Sequence, residues 1–411
     1  MTSDSAGELI ALRGVLGLGA SLVMPATLST ITSTFPPDKR TRAVSVWAAV
    51  AGGSAVLGLV ASGLLLELWH WQSVFGLNVV LAAVAFAAAV HFVPESADAQ
   101  APRLDLAGAV ISVIGLVALV YTIIEAPDHG WLAARTLFGF ATALVALVAF
   151  VVVELRLEHP LLDPRIFRQR SLAAGSASIF IQFFAFFGFT FVILQYLQFL
   201  RGSSPLLAAV SVLPLAATMM PTSRLAPWLV SRSSARTVCA GGLLLVSAGL
   251  LVMSRLDASS SYLELFAGLV LLGIGMGAAM TPATAAITEG LPASQQGVGS
   301  ALNDLSRELG GAVGIAVVGS VLMSVYRNDI DPTGAPTPVA DQARASFALA
   351  SRLGPPIAQH AQTAFASGMH AAMLCSSAAA LVGALGVLAV LRAGKHAASS
   401  REDVHAGKAA I

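Results

Sequence analysis

Gly17-Leu18-Gly19-Ala20-Ser21-Leu22-Val23-Met24-Pro25-Ala26-Thr27 returns about 256 residues later as Gly273-Ile274-Gly275-Met276-Gly277-Ala278-Ala279-Met280-Thr281-Pro282-Ala283-Thr284. Each copy opens on G-x-G, stays apolar and leaves through Pro-Ala-Thr. Each then passes Ile-Thr (Ile31-Thr32, Ile287-Thr288) toward a further proline. Small residues at helical spacing let helices approach closely in lipid, where packing rather than removal from water drives association. A proline inside such a helix is tolerated when neighbouring groups satisfy the carbonyl it frees. Two such segments in corresponding places mark an internally repeated membrane protein.

Composition agrees. Hydrophobic residues make up 56% of the 411 and charged residues 11%, against about 25% charged in a typical soluble domain. Mean hydropathy is +0.80. A formal net charge of +1 leaves no field to attract nucleic acid, so the partners expected are the bilayer, a small molecule and protons, with the chain a monomer. Cys239 and Cys375 have no CxxC or Cys/His spacing and read as small core residues rather than a disulfide or metal site.

Apolar windows of roughly 20 residues, the length that crosses a bilayer, fall at 9–34, 43–66, 73–93, 105–124, 134–154, 172–199, 205–223, 237–254, 262–288, 298–325 and 366–392. The expectation is eleven spans. Of the 23 Lys and Arg, fifteen collect on one side (Lys39, Arg40, Arg42, Arg103, Arg156, Arg165, Arg168, Arg170, Arg224, Arg232, Arg236, Arg392, Lys395, Arg401, Lys408). Six fall on the other (Arg135, Arg201, Arg255, Arg327, Arg344, Arg352), and Arg13 and Arg307 lie within spans. Positive loops stay cytoplasmic, so the C-terminus is expected inside and the N-terminus outside, in a multi-pass protein of the cell membrane.

The repeat also counts helices. Its copies sit on the first and ninth spans, and the second copy has three spans before it within its half. If the halves are equivalent six-helix bundles, the fourth and fifth spans are an inserted pair. The plan is then fourteen spans without the first three. It divides the chain into a remainder of the N-terminal bundle (1–94), an inserted pair with linker (95–170) and a C-terminal six-helix bundle (171–411) with an outer loop at 326–365. With three of six helices in its first bundle, the chain as numbered is not expected to complete alternating access alone. A homodimer sharing halves is the one rescue.

At this point the chain resembles the fourteen-helix drug:proton antiporters of the major facilitator superfamily, the EmrB/QacA type. Arg13-Gly14-Val15-Leu16-Gly17-Leu18-Gly19-Ala20 resembles the RxxQGxGaA motif of the family's fourth helix, with Leu16 in place of Gln. Gly58-Leu59-Val60-Ala61-Ser62-Gly63 stands where the antiporter motif GPxxGG belongs, and Trp71-Gln72-Ser73-Val74-Phe75 is similar to the WRWxF turn. Glu158-His159-Pro160 to Arg168 looks like the linker opening the second bundle. Gly297 to Asn303 with Arg307-Glu308-Leu309-Gly310-Gly311 extends the agreement. The resemblance implies an all-α fold, export of small lipophilic or cationic compounds, and a proton gradient instead of a cofactor. For Arg13 it implies assistance to proton transfer.

The candidate residues follow, several with more than one reading open. A guanidinium inside a span costs about 2.5–3.5 kcal/mol on insertion scales, so Arg13 and Arg307 are expected to line a cavity or pair with an acid; Arg13 is also near enough to the outer surface to snorkel. Asn303, Asp304, Arg307 and Glu308 share one end of a helix, Asp304 with Arg307 at i, i+3 and with Glu308 at i, i+4. They form either a salt-bridge latch or a titrating carboxylate. On the sixth span Gln182, Phe186, Phe189, Ile193 and Tyr196 fall on one face, with Gln195 beside them. That face is either an aromatic wall for flat lipophilic cations or core. Met276 and Met280 suit a promiscuous pocket or ordinary packing. Gly17, Gly19, Gly53, Gly58, Gly63, Gly273 and Gly275, with Pro25 and Pro282, are the packing and kink positions. His91 and His370 sit in apolar spans, as structural histidines or relays. No HExxH, GxSxG with a membrane-buried His partner, or Walker loop is present, so no catalytic residue is expected. A receptor is the other membrane class, without a soluble signalling domain to support it, and a transport-incompetent fragment is the remaining alternative.

Overall fold

The structure, a computed structural model, describes residues 5–93, 105–157, 160, 162–289, 291, 296–331 and 336–390. Outside it lie Arg103, Glu158, His159, and the tail from 391 with Arg392, Lys395, Arg401 and Lys408. Nothing but helix and turn occurs among the described residues. α1 (Ala6–Thr34), α2 (Pro37–Leu68), α3 (Gln72–Phe92), α4 (Leu106–His129), α5 (Ala134–Glu154) and α6 (Arg170–Gln195) come first. A π-turn (Tyr196–Leu200) leads to α7 (Pro205–Ser211), α8 (Leu213–Arg232), α9 (Ala235–Met253), α10 (Tyr262–Glu289), α11 (Gln296–Asp329), α12 (Thr337–Ala345), α13 (Phe347–Ala350) and α14 (Pro355–Val390). Over their described residues the expected apolar windows fall on helix, and nine helical stretches among the described residues are long and apolar enough to cross a membrane. The fold class is all-α.

Local chemistry sets the helix ends. Ser5, Ser204 and Ser234 accept from the backbone N–H three residues on and so begin α1, α7 and α9. Proline occupies the first helical turn of α2 and α7, where its missing N–H has no partner to lose. Gly130 and Gly202, at φ 91° and 65°, make the turns α4–α5 and before α7 in a conformation side chains resist.

The chain divides into two compact units, residues 1–106 with 193–216, and 107–192 with 217–411. In the first, α2 packs on α7: a Cβ at Gly63 would lie 3.0 Å from both Ala209 Cβ and the Pro205 carbonyl.

In the second unit, glycines bring backbones into contact at constant register. A Cβ at Gly275 would meet the Gly242 carbonyl at 2.5 Å, and one at Gly249 the Gly268 carbonyl at 2.8 Å, so α9 and α10 run antiparallel. Gly310 faces the Phe180 carbonyl, Gly314 that of Phe184, and Gly188 faces Val318; this rising register makes α6 and α11 parallel. Gly277 against Met219 and the Thr281 hydroxyl on the Ser223 carbonyl (3.2 Å) make α8 and α10 parallel. Ser247 bonding Ser377 and Arg236 bonding the Leu388 carbonyl make α9 and α14 antiparallel. α4 and α5 obey the same parity. Gly115 on Leu147 and Gly139 on Thr122 set α4 against α5 antiparallel. The Ser320 hydroxyl on the Ile123 carbonyl (2.6 Å) and an Asp128–Arg327 ion pair hold α4 parallel to α11. Each relation is what successive membrane crossings require of spans four to eleven.

Between α11 and α14 the Ala/Gly/Ser/Pro-rich stretch 333–365 reads from sequence as a flexible outer loop with room for a short amphipathic helix. The short helix is there as α12, and with α13 it folds back on buried anchors: Tyr326 donates to the Ala343 carbonyl at 2.7 Å, Phe347 stacks on Phe365 at 4.4 Å, and α14 begins at Pro355. Four apolar side chains (Ala343, Phe347, Ala350, Phe365) outweigh the composition around them. Gly17, Gly19 and Gly58, read as packing positions, meet no neighbour among the described residues. All three are exposed, and a Cβ on any of them meets nothing within 4 Å, because no described helix lies against those faces.

Candidate substrate and proton site

The glycine contact of α6 with α11 decides which aromatic ring meets which charge. With Gly310, Gly311 and Gly314 removing side chains from that face, Arg307 sits one turn earlier with its guanidinium carbon 4.7 Å from the centre of the Phe183 ring. Such a cation–π contact is worth about 0.5–2 kcal/mol, rising as water is excluded. Arg307 Nη1 also lies 3.7 Å from Asp304 Oδ1, their side chains 34% and 41% exposed. Around Phe183 stand Phe187 at 6.1 Å and Phe186 at 6.4 Å, with Phe186 and Phe187 edge to face at 5.3 Å. The Thr284 hydroxyl donates to Asn303 Oδ1 at 3.2 Å, tying the end of α10 to α11 beside this pair. The site therefore offers one reachable carboxylate, one guanidinium on an aromatic face, and further rings.

The remaining candidates are placed as follows. Glu308 is exposed on α11. Arg13 is exposed on α1, in the first unit. Gln182 is wholly buried, and its amide donates to the Ser178 carbonyl (3.2 Å) and hydroxyl (3.0 Å), with Ser178 in turn 3.0 Å from Cys239 Sγ on α9. Phe189 and Tyr196 are 1% and 2% exposed, so these three ends of the expected wall are packed inside protein. Phe186 and Gln195 are half-buried. Met276 is buried in α10, and Met280 packs on the core cluster built around Leu243, Ala279 and Ala283. Gly273 and Pro282 are buried. Pro25 lies on α1 and Gly53 on α2, their side-chain surroundings outside the described residues. His370 Nε2 lies 2.8 Å from the Leu256 carbonyl, and His91 is edge-on to Phe92.

Phe183 and Phe187 were not singled out by sequence, because rings cover every side of α6. The signal that finds them is the Gly310-Gly311-x-x-Gly314 spacing on the partner helix. A second polar cluster also escaped. At the α4–α5 turn Arg135 donates to His129 Nε2 (2.6 Å) and to the Tyr121 hydroxyl (3.4 Å). Since arginine only donates, His129 carries its proton on Nδ1, facing Glu125 at 3.9 Å. These side chains line a small cleft with Thr122, Thr136, Phe138 and Gly139.

Repeated, apolar, alternately directed helices carrying a charged pair define a polytopic membrane protein. The chain belongs to the Major Facilitator Superfamily, whose profile matches residues 1–315. It is similar to the multidrug resistance protein Stp of Mycobacterium tuberculosis strain H37Rv, with 34% identity over 331 residues covering 80% of this chain and 62% of that protein. The tetracenomycin C resistance and export protein of Streptomyces glaucescens is 33% identical over 331 residues, 80% of this chain and 61% of that one. The methyl viologen resistance protein SmvA of Salmonella typhimurium strain LT2 is 31% identical over 397 residues, 95% of this chain and 80% of that one. The chain thus spans about three fifths of the length of the first two. A crystal structure of a bacterial homologue of the human lysosomal transporter Spinster, inward-facing and unoccupied, superposes with a TM-score of 0.54 at 16% identity, over 89% of this chain and 73% of that one. That likeness concerns the fold alone.

Proposed function

We propose that this chain forms a secondary active transporter of the cell membrane, exporting small lipophilic or cationic compounds in exchange for protons moving inward, on the fourteen-helix antiporter plan. Relatives named for resistance to, or export of, compounds as different as tetracenomycin C and methyl viologen support the compound class. The single structural observation that carries the reading is Asp304 paired with an Arg307 that lies on Phe183. A carboxylate held by one guanidinium can be neutralised further by a proton or by a cation, but one exchanges for the other because both compete for the same oxygens. When the proton binds, the ion pair weakens and Arg307 settles on the ring. When the cation binds, the rings of Phe183, Phe186 and Phe187 take its apolar surface. No cofactor is required in this scheme; the proton gradient supplies the driving force.

The test is uptake of a fluorescent lipophilic cation into inverted membrane vesicles that contain the chain and are acidified inside. Uptake abolished by a protonophore supports the reading in full, and would also overturn the expectation that the first bundle is too short for alternating access. Binding that competes with protons but yields no uptake would make the chain the binding part of a longer transporter. Absence of both would overturn the reading.

A further inference from the structure

The cleft at the α4–α5 turn holds an arginine that its neighbours do not neutralise. Arg135 spends one N–H on His129 Nε2 at 2.6 Å and one on the Tyr121 hydroxyl at 3.4 Å. A guanidinium carries five N–H donors, so three remain for a ligand. Both acceptors are uncharged, and no carboxylate among the described residues lies within ion-pair distance of Arg135. Arg307 and Arg327, by contrast, are paired with Asp304 and Asp128. Tyr121 already accepts from Arg135 and keeps its own O–H to give. Thr122 adds a further hydroxyl: the residue is 6% exposed, lines the cleft and has no hydrogen-bond partner among the described residues. A buried hydroxyl left without a partner is costly. Gly139 on α5 leaves it room, since a Cβ there would collide with Thr122 Oγ1. A guanidinium and two hydroxyls thus line one cleft, which is the donor chemistry that holds anionic oxygen. The carboxylate in the lining, Glu125, lies 3.9 Å from His129 Nδ1 and offers an acceptor within the same cleft.

We propose that this cleft binds the phosphodiester headgroup of a phospholipid. The phosphate oxygens take the free N–H groups of Arg135 with the Tyr121 and Thr122 hydroxyls. The hydroxyl or ammonium donors beyond the phosphate meet Glu125. A bare phosphate ion would set only more negative charge against that carboxylate. The surroundings suit a lipid's tails. Phe138 in the lining is 75% exposed and Leu132 in the turn 86%, while α4 and α5 are both long and apolar enough to cross a membrane. The turn joins two consecutive spans and so lies at a membrane boundary. Trp131, with Nε1 3.4 Å from Ser324 Oγ, stands at this level, where indole is favoured. By the loop charges this boundary is the outer one, so the lipid comes from the outer leaflet. Its acyl chains descend along the exposed faces of α4 and α5. The Ser320 bond to the Ile123 carbonyl and the Asp128–Arg327 pair tie α4 to α11, so the headgroup site belongs to the same compact unit as Asp304 and Arg307.

The inference does not depend on the transport reading, and its measurement needs neither substrate nor gradient. Native mass spectrometry of the purified chain, with phosphatidylglycerol added to the detergent in steps, counts the lipids retained and gives their dissociation constants. One tightly held phosphatidylglycerol is expected. Dioleoylglycerol, which has the tails without the phosphate, and glycerol 3-phosphate, which has the phosphate without the tails, are expected to bind far more weakly. Arg135→Ala is expected to weaken the held lipid about tenfold, the scale of losing a hydrogen bond to a charged group. Tyr121→Phe and Thr122→Val remove one hydroxyl each and keep the shape, and are expected to weaken it several-fold. They carry the test if Arg135→Ala fails to fold, as thermal unfolding of each variant reports. Arg255→Ala, at an exposed arginine in another loop on the same side, is expected to leave binding unchanged. Equal weakening by Arg135→Ala and Arg255→Ala would reduce the effect to general surface charge. Dioleoylglycerol held as tightly as phosphatidylglycerol would make the cleft an apolar groove, and glycerol 3-phosphate held as tightly would make it a site for a soluble phosphate. Each of these results, or no lipid retained, would overturn the proposal. Failure of proton-coupled uptake in the vesicles would sink the transport reading and leave the lipid site standing.

Discussion

At the residue scale, the structure separates side chains that one helical face seemed to unite. Gln182, Phe189 and Tyr196 are spaced as a wall, yet all three are packed away from the charge on α11; Phe183, buried as well, meets that charge, and the exposed Phe187 stands 6.1 Å from the Phe183 ring. Spacing alone could not choose between them, because burial on α6 is set by where α11 lacks side chains. Asp304 with Arg307 was legible, since i, i+3 on a helix brings the two together in any tertiary setting. The consequence is a pair of contrasting substitutions. Tyr196→Ala is expected to lower thermal stability strongly, on the scale of about 3–5 kcal/mol for emptying a buried aromatic site. Phe187→Ala, at a ring 37% exposed, should leave stability nearly unchanged and weaken binding of a lipophilic cation several-fold. Thermal unfolding and ligand titration on the purified variants check both. Arg307→Lys keeps the charge but loses the plane that lies over Phe183, and should weaken cation discrimination more than it weakens folding.

At the scale of elements, glycine does opposite things in the two copies of the repeat. Gly275 sits against the Gly242 carbonyl with no space for a methyl, whereas Gly17 and Gly19 face nothing within 4 Å. Gly275→Ala must therefore push α9 and α10 apart, an overpacking cost of about 1–3 kcal/mol. Gly19→Ala should be neutral or mildly stabilising, since alanine is the better helix former. Detergent-stability midpoints of the two variants decide it, and equal losses would mean that the α1 face is packed after all. The sequence spelled out this repeat, but a motif names a helix capable of close approach and not the helix that approaches it. The stretch after α11 shows the same limit from the other side. Small and polar residues outnumber its anchors, yet Tyr326, Phe347 and Phe365 stack into one cluster that no composition count reveals.

For the whole molecule, the span order was legible because twenty apolar residues have few alternatives in a bilayer, and the parallel and antiparallel registers agree with it. Direction across the membrane remains a matter of loop charge. Single cysteines at Asp257 and Arg135 are expected to react with an impermeant reagent from outside, and cysteines at Arg165 and Ser233 only after permeabilisation. Reaction of positions 165 and 257 from the same side would refute the orientation. The measurement that bears most directly on the central claim is proton release on ligand binding. The purified chain, in weakly buffered detergent at steps between pH 5 and pH 8, is mixed with a lipophilic cation while a soluble dye reports the pH. The account predicts release of protons that disappears in Asp304→Asn, with cation binding in that variant no longer dependent on pH. Binding without release at every pH, or release of equal size from Asp304→Asn, would contradict it.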